Sequence, residues 1–147
     1  MMTIDEAFRL GMESLRRDGL NCLGGDAAAV VALLATGADP DAPRDACGRT
    51  PLLWAADGGH DDLVGALLAA GADARASDGE GATPLLHATL CGHEGAARAL
   101  LAAGADPMAR DADGCCATDV CPAEWAPWWP AAHEKPAAAA RCENVIA

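Results

Sequence analysis

An all-α solenoid, in which short helix–turn–helix units lie side by side, is the fold this sequence predicts, and three observations carry that reading. The text TPLLWAADGGH, starting at Thr50, returns as TPLLHATLCGH, starting at Thr83, so that the Thr and the closing His are both displaced by 33 residues. A period of that length marks a stacked repeat architecture. Leu63, Val64, Leu67 and Leu68 fall at helical spacing in one copy, and Ala96, Ala97, Leu100 and Leu101 take the same places in the next. Hydrophobic residues make up 52% of the chain, yet much of that is Ala, with one Phe, four Trp and no Tyr. Side chains this small suit thin, closely stacked helices better than one thick core.

Two full units align, over 45–77 and 78–110, with a partial unit upstream over 26–44 and another downstream over 111–121. Asp45, Asp78 and Asp111 each precede a Gly by three residues, the pattern of a type I β-turn. Thr50 and Thr83 stand where a side-chain oxygen caps a helix, and Pro51 and Pro84 follow at the first helical position, where no N–H is needed. That helix is expected to run about two turns, to Gly59 and Gly92. A second helix follows His60 or His93 and stops at Gly71 or Gly104. One such unit cannot cover its own apolar stripe, so neighbours must stack to bury it. Each Leu so buried contributes about 1.5–3 kcal/mol.

The run D-x-x-G-x-T-P-L, then A, then G-H, then L-L-x-x-G-A-D at this period resembles the ankyrin repeat family over residues 26–121. The resemblance implies an ankyrin-repeat solenoid: an L-shaped stack whose turns project as fingers. It implies a concave face, made of fingers and first helices, that binds other proteins, and it implies no catalysis. The family commonly has His after T-P-L, where the imidazole ties adjacent units together. Here Leu53 and Leu86 take that place, followed by Trp54 and His87. The expectation is a looser unit-to-unit registry, with packing in place of the polar tie and Trp54 wedged between units. Five residues separate Asp39 from Asp45, against four between Asp73 and Asp78, so the first inter-unit hairpin carries one extra residue.

The ends differ from the repeats. Residues 1–25 read as an N-terminal capping helix and linker, with Ile4, Phe8, Met12 and Leu15 on one face and Thr3 with Glu6 as a capping box. Pro122 interrupts the last unit before its first helix finishes, and residues 122–147 are rich in Pro, Trp and Ala. Trp125, Trp128 and Trp129 are expected to fold back over the last apolar stripe; the alternative is an exposed aromatic anchor for a partner.

Composition excludes several functions. Acids outnumber bases by 22 to 10 and the bases are scattered, which leaves no basic stripe for nucleic acid or for an anionic membrane. The longest apolar run, Ala27 to Ala38, is too short to cross a bilayer. Seven Cys with no signal peptide suggest free thiols in an intracellular, cytoplasmic setting. No C-x-x-C or paired His spacing suggests a metal, and no cofactor is expected. Lys135 lacks a Gly-rich loop, Ser14 and Ser77 lack G-x-S-x-G, and Asp61 and Asp62 simply favour a helix start. Cys91 lies two residues from His93, but that His belongs to the repeat, so catalysis is not expected.

The chain is therefore expected to be a monomer that binds another protein; its acidity fits a partner with a basic surface or, more simply, solubility. Finger tips and the open side of each first helix would supply the contacts: Arg49, Asp57, Glu80, Leu90, Cys91 and Asp113. Ala82 and Cys115 fall among the same variable positions. Trp125, Trp128 and Trp129 join the list if the tail is an anchor, in an adaptor that recruits a second factor. A thiol-dependent enzyme or a metal-binding protein is the remaining, weaker alternative.

Overall fold

The computed structural model describes Glu6, Leu10, Val31, Ala32, residues 34–41 and residues 46–129. The Thr3 capping box, the linker to Gly25 and the tail beyond Trp129 lie outside the described residues. Two helix pairs form the centre, α1 (Pro51–Asp57) with α2 (Asp61–Ala69) and α3 (Pro84–Leu90) with α4 (Glu94–Ala102). A short α5 (Ala117–Val120) and a 3-10 turn, Ala123–Trp125, follow. First helices stack on first helices, α1 on α3 on α5, and α2 stacks on α4. No strand occurs among the described residues; the β-type pairing there is one isolated antiparallel bridge, between Arg110 and Cys116. The expected all-α solenoid is what forms.

Local chemistry sets each boundary. Thr50 Oγ1 accepts the Leu53 amide at 3.4 Å and Thr83 Oγ1 accepts the Leu86 amide at 3.2 Å, and both threonines are extended in backbone with Pro next. At each helix start the Thr side chain thereby satisfies one of the amides that lack an intrahelical partner, and Pro removes another. Gly59 ends the first pair's turn at φ 67°, in the left-handed region. A Cβ there would also lie 2.5 Å from His93 Nδ1 of the next unit. Gly59→Ala therefore meets both backbone strain and a ring that must move, and should cost about 1–3 kcal/mol. A fall in the urea midpoint without a change in slope would register it.

The stripe seen in the sequence is the core. Leu63, Val64 and Leu67 of α2, and Ala96, Ala97 and Leu100 of α4, are buried, while Leu68 and Leu101 pack against them from the edge. Leu52 and Leu85 of the first helices fill the space between pairs. Trp54 packs against this core, half-buried, with the Arg49 guanidinium 4.9 Å above its ring.

Fingers are built as the Asp-Gly spacing predicts. In the central finger the Gly81 amide donates to Asp78 O at 3.1 Å, and Asp78 Oδ1 accepts the Glu80 and Ala82 amides, each at 3.0 Å. Asp111 repeats the arrangement with Gly114, Asp113 and Cys115. Neighbouring fingers are also joined: the Gly79 amide donates to Cys47 O, and the Ala112 amide to Glu80 O, both at 2.8 Å. Asp41 reaches across the preceding step, its Oδ1 accepting the Asp73 amide at 3.0 Å. Residues 42–45 of the longer first hairpin lie outside the described residues.

These bonds correct the expectation that packing alone replaces the family's polar tie. The tie is present, carried by finger backbones and, at the central joint, by side chains one residue further along the helix. Two other expectations change. Ala82 and Cys115, placed among the partner-facing positions, are buried at the base of their fingers. Cys115 is also disulfide-bonded, a departure from the free thiols expected of the cysteines, whereas Cys91 and Cys116 are not.

At the C-terminal end α5 stops at Val120, since Pro122 has no N–H to continue it. The chain turns, and Trp125 and Trp129, each 5% exposed, join the same core cluster as Leu100 and Ala117. The three indoles lie 5.3–6.0 Å apart by ring centroid. Trp129 Nε1 donates to Thr118 Oγ1 at 3.4 Å, and that hydroxyl donates to Pro107 O at 3.0 Å. Trp128 is half-buried, with the Arg98 guanidinium 4.1 Å from its ring centre.

Candidate functional site

A residue that every unit needs recurs at 33-residue steps; one that does not is there for something else. Arg49 becomes Ala82 one unit on, Asp57 becomes Leu90, and Cys91 was Gly58 one unit earlier. His87 was Trp54 and becomes Val120. These four non-recurring residues meet at one place, the open side of the joint between α1 and α3.

The cluster is built from three segments. Asp57, the last residue of α1, has Oδ1 3.5 Å from His87 Nδ1 in the middle of α3. Nε2 of the same ring lies 3.3 Å from Asp78 Oδ2 in the finger that precedes α3. Arg49, from the preceding finger, places its guanidinium 3.8 Å from both Asp57 and Asp78. Cys91 Sγ, at the end of α3, donates to Asp57 Oδ1 at 3.5 Å. His93, ahead of α4, reaches back to the Asp57 carbonyl through Nε2 at 3.1 Å. Asp57 is thus held from three sides by the following unit.

Charge and burial determine the protonation states. The His87 contact, then Cys91 and Arg49, hold the Asp57 carboxyl below its ordinary value against a smaller opposing effect of burial. Burial pushes Asp78 up, but the amides of Ala82 and Glu80 together with His87 more than reverse it. His87 is pushed down by burial and by Arg49, and pulled up further by Asp57 and Asp78, so that it ends above 6.5. Burial and the neighbouring Asp57 raise the Cys91 thiol above its usual value.

The arrangement does not activate the Cys91 thiol. An activated thiol needs a cationic neighbour that lowers its pKa, and Cys91 faces a carboxylate that raises it. Among the described residues no group of three or more His, Cys, Asp or Glu is arranged to hold a metal ion. A groove of about 420 Å³ between α4 and Trp128, lined by Arg98, Leu101, Ala105 and Pro107, offers no nucleophile with a base. No helix among the described residues is long and apolar enough to cross a membrane.

The residues expected at the partner face fall into three groups. Arg49, Asp57 and Cys91 belong to the inter-unit cluster. Glu80 and Asp113 stand exposed on finger tips, and Leu90 is exposed at 36% near the end of α3. Trp125 and Trp129 are inside, and only Trp128 keeps an open edge. His87 and Asp78 were not on that list. The signal for His87 was its failure to recur, whereas Asp78 does recur and is recruited by its neighbours.

Paired helices stepped by 33 residues, joined by stacked fingers and displaying a variable open side, define a helical repeat protein of the binding class. The family model for ankyrin repeats in three copies matches residues 20–111, and the chain belongs to the ankyrin repeat family. Ankyrin repeats are generally protein–protein interaction modules and are typically not enzymes. A search among curated proteins gave no match.

Proposed function

We propose that the chain binds a partner protein along its concave side, with the exposed finger tips and the C-terminal end of α3 as the contact surface. The observation that carries this reading is the sorting of side chains at variable positions. Glu80 and Asp113 are exposed on successive fingers, and Leu90 and Cys91 are exposed beside them, while the framework positions are buried. Two acids and an apolar side chain suit a partner that carries Lys or Arg next to a hydrophobic residue. Arg49 and Asp57 contribute by holding the face in shape, since each is engaged with the next unit.

The tail belongs to the same reading as a cap. Trp125 and Trp129 close the stack, packing on the core where a second helix packs in the full units. The adaptor reading assigns these indoles to a second factor, and their burial counts against it. The chain acts as a monomer inside the cell on this reading.

Affinity capture from the source cell, using Glu80→Arg/Asp113→Arg against wild type, tests the face directly. A partner lost with that pair and retained with Asp62→Arg, an exposed change on α2, is the expected result. A partner that ignores the finger reversal and is lost with Asp62→Arg places the site on the other side. Arg49→Glu is a poor probe of contact, because it adds a third acid beside Asp57 and Asp78.

A further inference from the structure

The central joint carries a constraint that follows from hydrogen-bond inventory alone. Both nitrogens of the His87 ring face carboxylate oxygens, Asp57 Oδ1 at 3.5 Å and Asp78 Oδ2 at 3.3 Å. An ionised carboxylate only accepts, and a neutral imidazole has one N–H and one lone pair. Either neutral tautomer therefore leaves a lone pair aimed at a carboxylate, and only the imidazolium satisfies both neighbours. We propose that His87 is a proton-operated staple between unit 45–77 and unit 78–110, joining the end of α1 to the next finger when protonated and releasing one of them when neutral.

The surroundings make the staple effective and specific to this joint. The His87 and Asp78 side chains are 13% and 4% exposed, so water screens the pair weakly. Arg49 is the competing cation: it approaches both carboxylates at 3.8 Å, a looser contact than the imidazole makes. On its own helix His87 shares Asp57 with Cys91, whose thiol stays protonated near neutral pH. From the loop before α4, His93 uses Nε2 on the Asp57 carbonyl rather than on its carboxylate. From α5, Asp119 is turned away, its Oδ2 accepting from Arg110 and from the Cys116 amide. The flanking steps hold Trp54 and Val120 at the same register, so no other unit carries a copy.

The sign of the pH effect is fixed. His87 is raised above 6.5 on folding, so its contribution is fully present below pH 6.5 and is lost as pH rises through the folded value. His60 works in the opposite sense, lowered by burial and by His93, so its contribution is lost as pH falls. Comparing wild type with a non-titrating variant separates the two.

Two measurements on the full chain test the staple. An NMR titration of the imidazole signals in wild type should give His87 a midpoint above 6.5, moved down by Asp57→Asn and by Asp78→Asn. The ratio of unfolding constants, wild type over His87→Gln, should rise between pH 5.5 and pH 8.5, by up to about tenfold for each unit of raised pKa. A His87 midpoint at or below 6.5 overturns the proposal, and the wild-type titration gives that answer even where a variant fails to fold. So does a wild type whose stability follows pH in parallel with His87→Gln.

Discussion

Trp129→Ala should lower the unfolding free energy by about 3–5 kcal/mol, the usual cost of removing a buried indole. The ring is 5% exposed, belongs to the core that contains Leu100 and Ala117, and gives up a hydrogen bond to Thr118. Trp128→Ala offers the contrast. That ring is only half-buried, at the edge of the core beside the other two indoles, and its contact with Arg98 is a cation–π pair worth about 0.5–1 kcal/mol at an exposed site. Urea denaturation of both variants distinguishes a cap from an anchor. A large loss for Trp129 with a small one for Trp128 fits a segment that closes the stack. Equal and negligible losses would mean that the indoles are not needed for folding and would return them to the surface.

Leu85→Ala should cost about 2–5 kcal/mol, with the upper part of that range expected. Leu85 is fully buried in α3, and α3 is the helix that packs on α1, α4 and α5 together. The cavity left behind cannot easily collapse, because the neighbours across it are mostly Ala and Leu already in close contact. Leu90→Ala, at the exposed end of the same helix, should stay within about 0.5 kcal/mol. In a repeat array each unit leans on its neighbours, so the Leu85 loss should also broaden the transition by uncoupling the units on either side. Guanidinium melts followed by both far-ultraviolet circular dichroism and Trp fluorescence would report the loss of coincidence between the two signals.

Much of this fold was legible because repeats print their structural rules more than once. Thr50 and Thr83 announced their caps through the Pro that follows each, and Asp78 and Asp111 announced their turns through the Gly three residues on. Leu63 and Leu100 were readable as core from spacing alone. What the sequence concealed was contact between residues far apart in the chain. Asp57 and His87 lie 30 positions apart, and neither the angle between α1 and α3 nor the choice of rotamer can be read from spacing. For the same reason Arg49 and Asp57 looked like surface charges, although they are engaged with the following unit. Ala82 and Cys115 were misplaced for a different cause. Both are the last residue before the cap, and the small Ala already hinted at a position turned inward.

The central claim is that consecutive 33-residue units are laid in register, each touching only the next. NMR tests this most directly, through the proximity of the His93 ring to Gly59 and the protection of the Gly79 and Ala112 amides against exchange. The account predicts cross-peaks between His93 ring protons and Gly59 α-protons, together with slow exchange at both amides. A well-dispersed spectrum that lacks those cross-peaks and shows rapid exchange at Gly79 and Ala112 would contradict it.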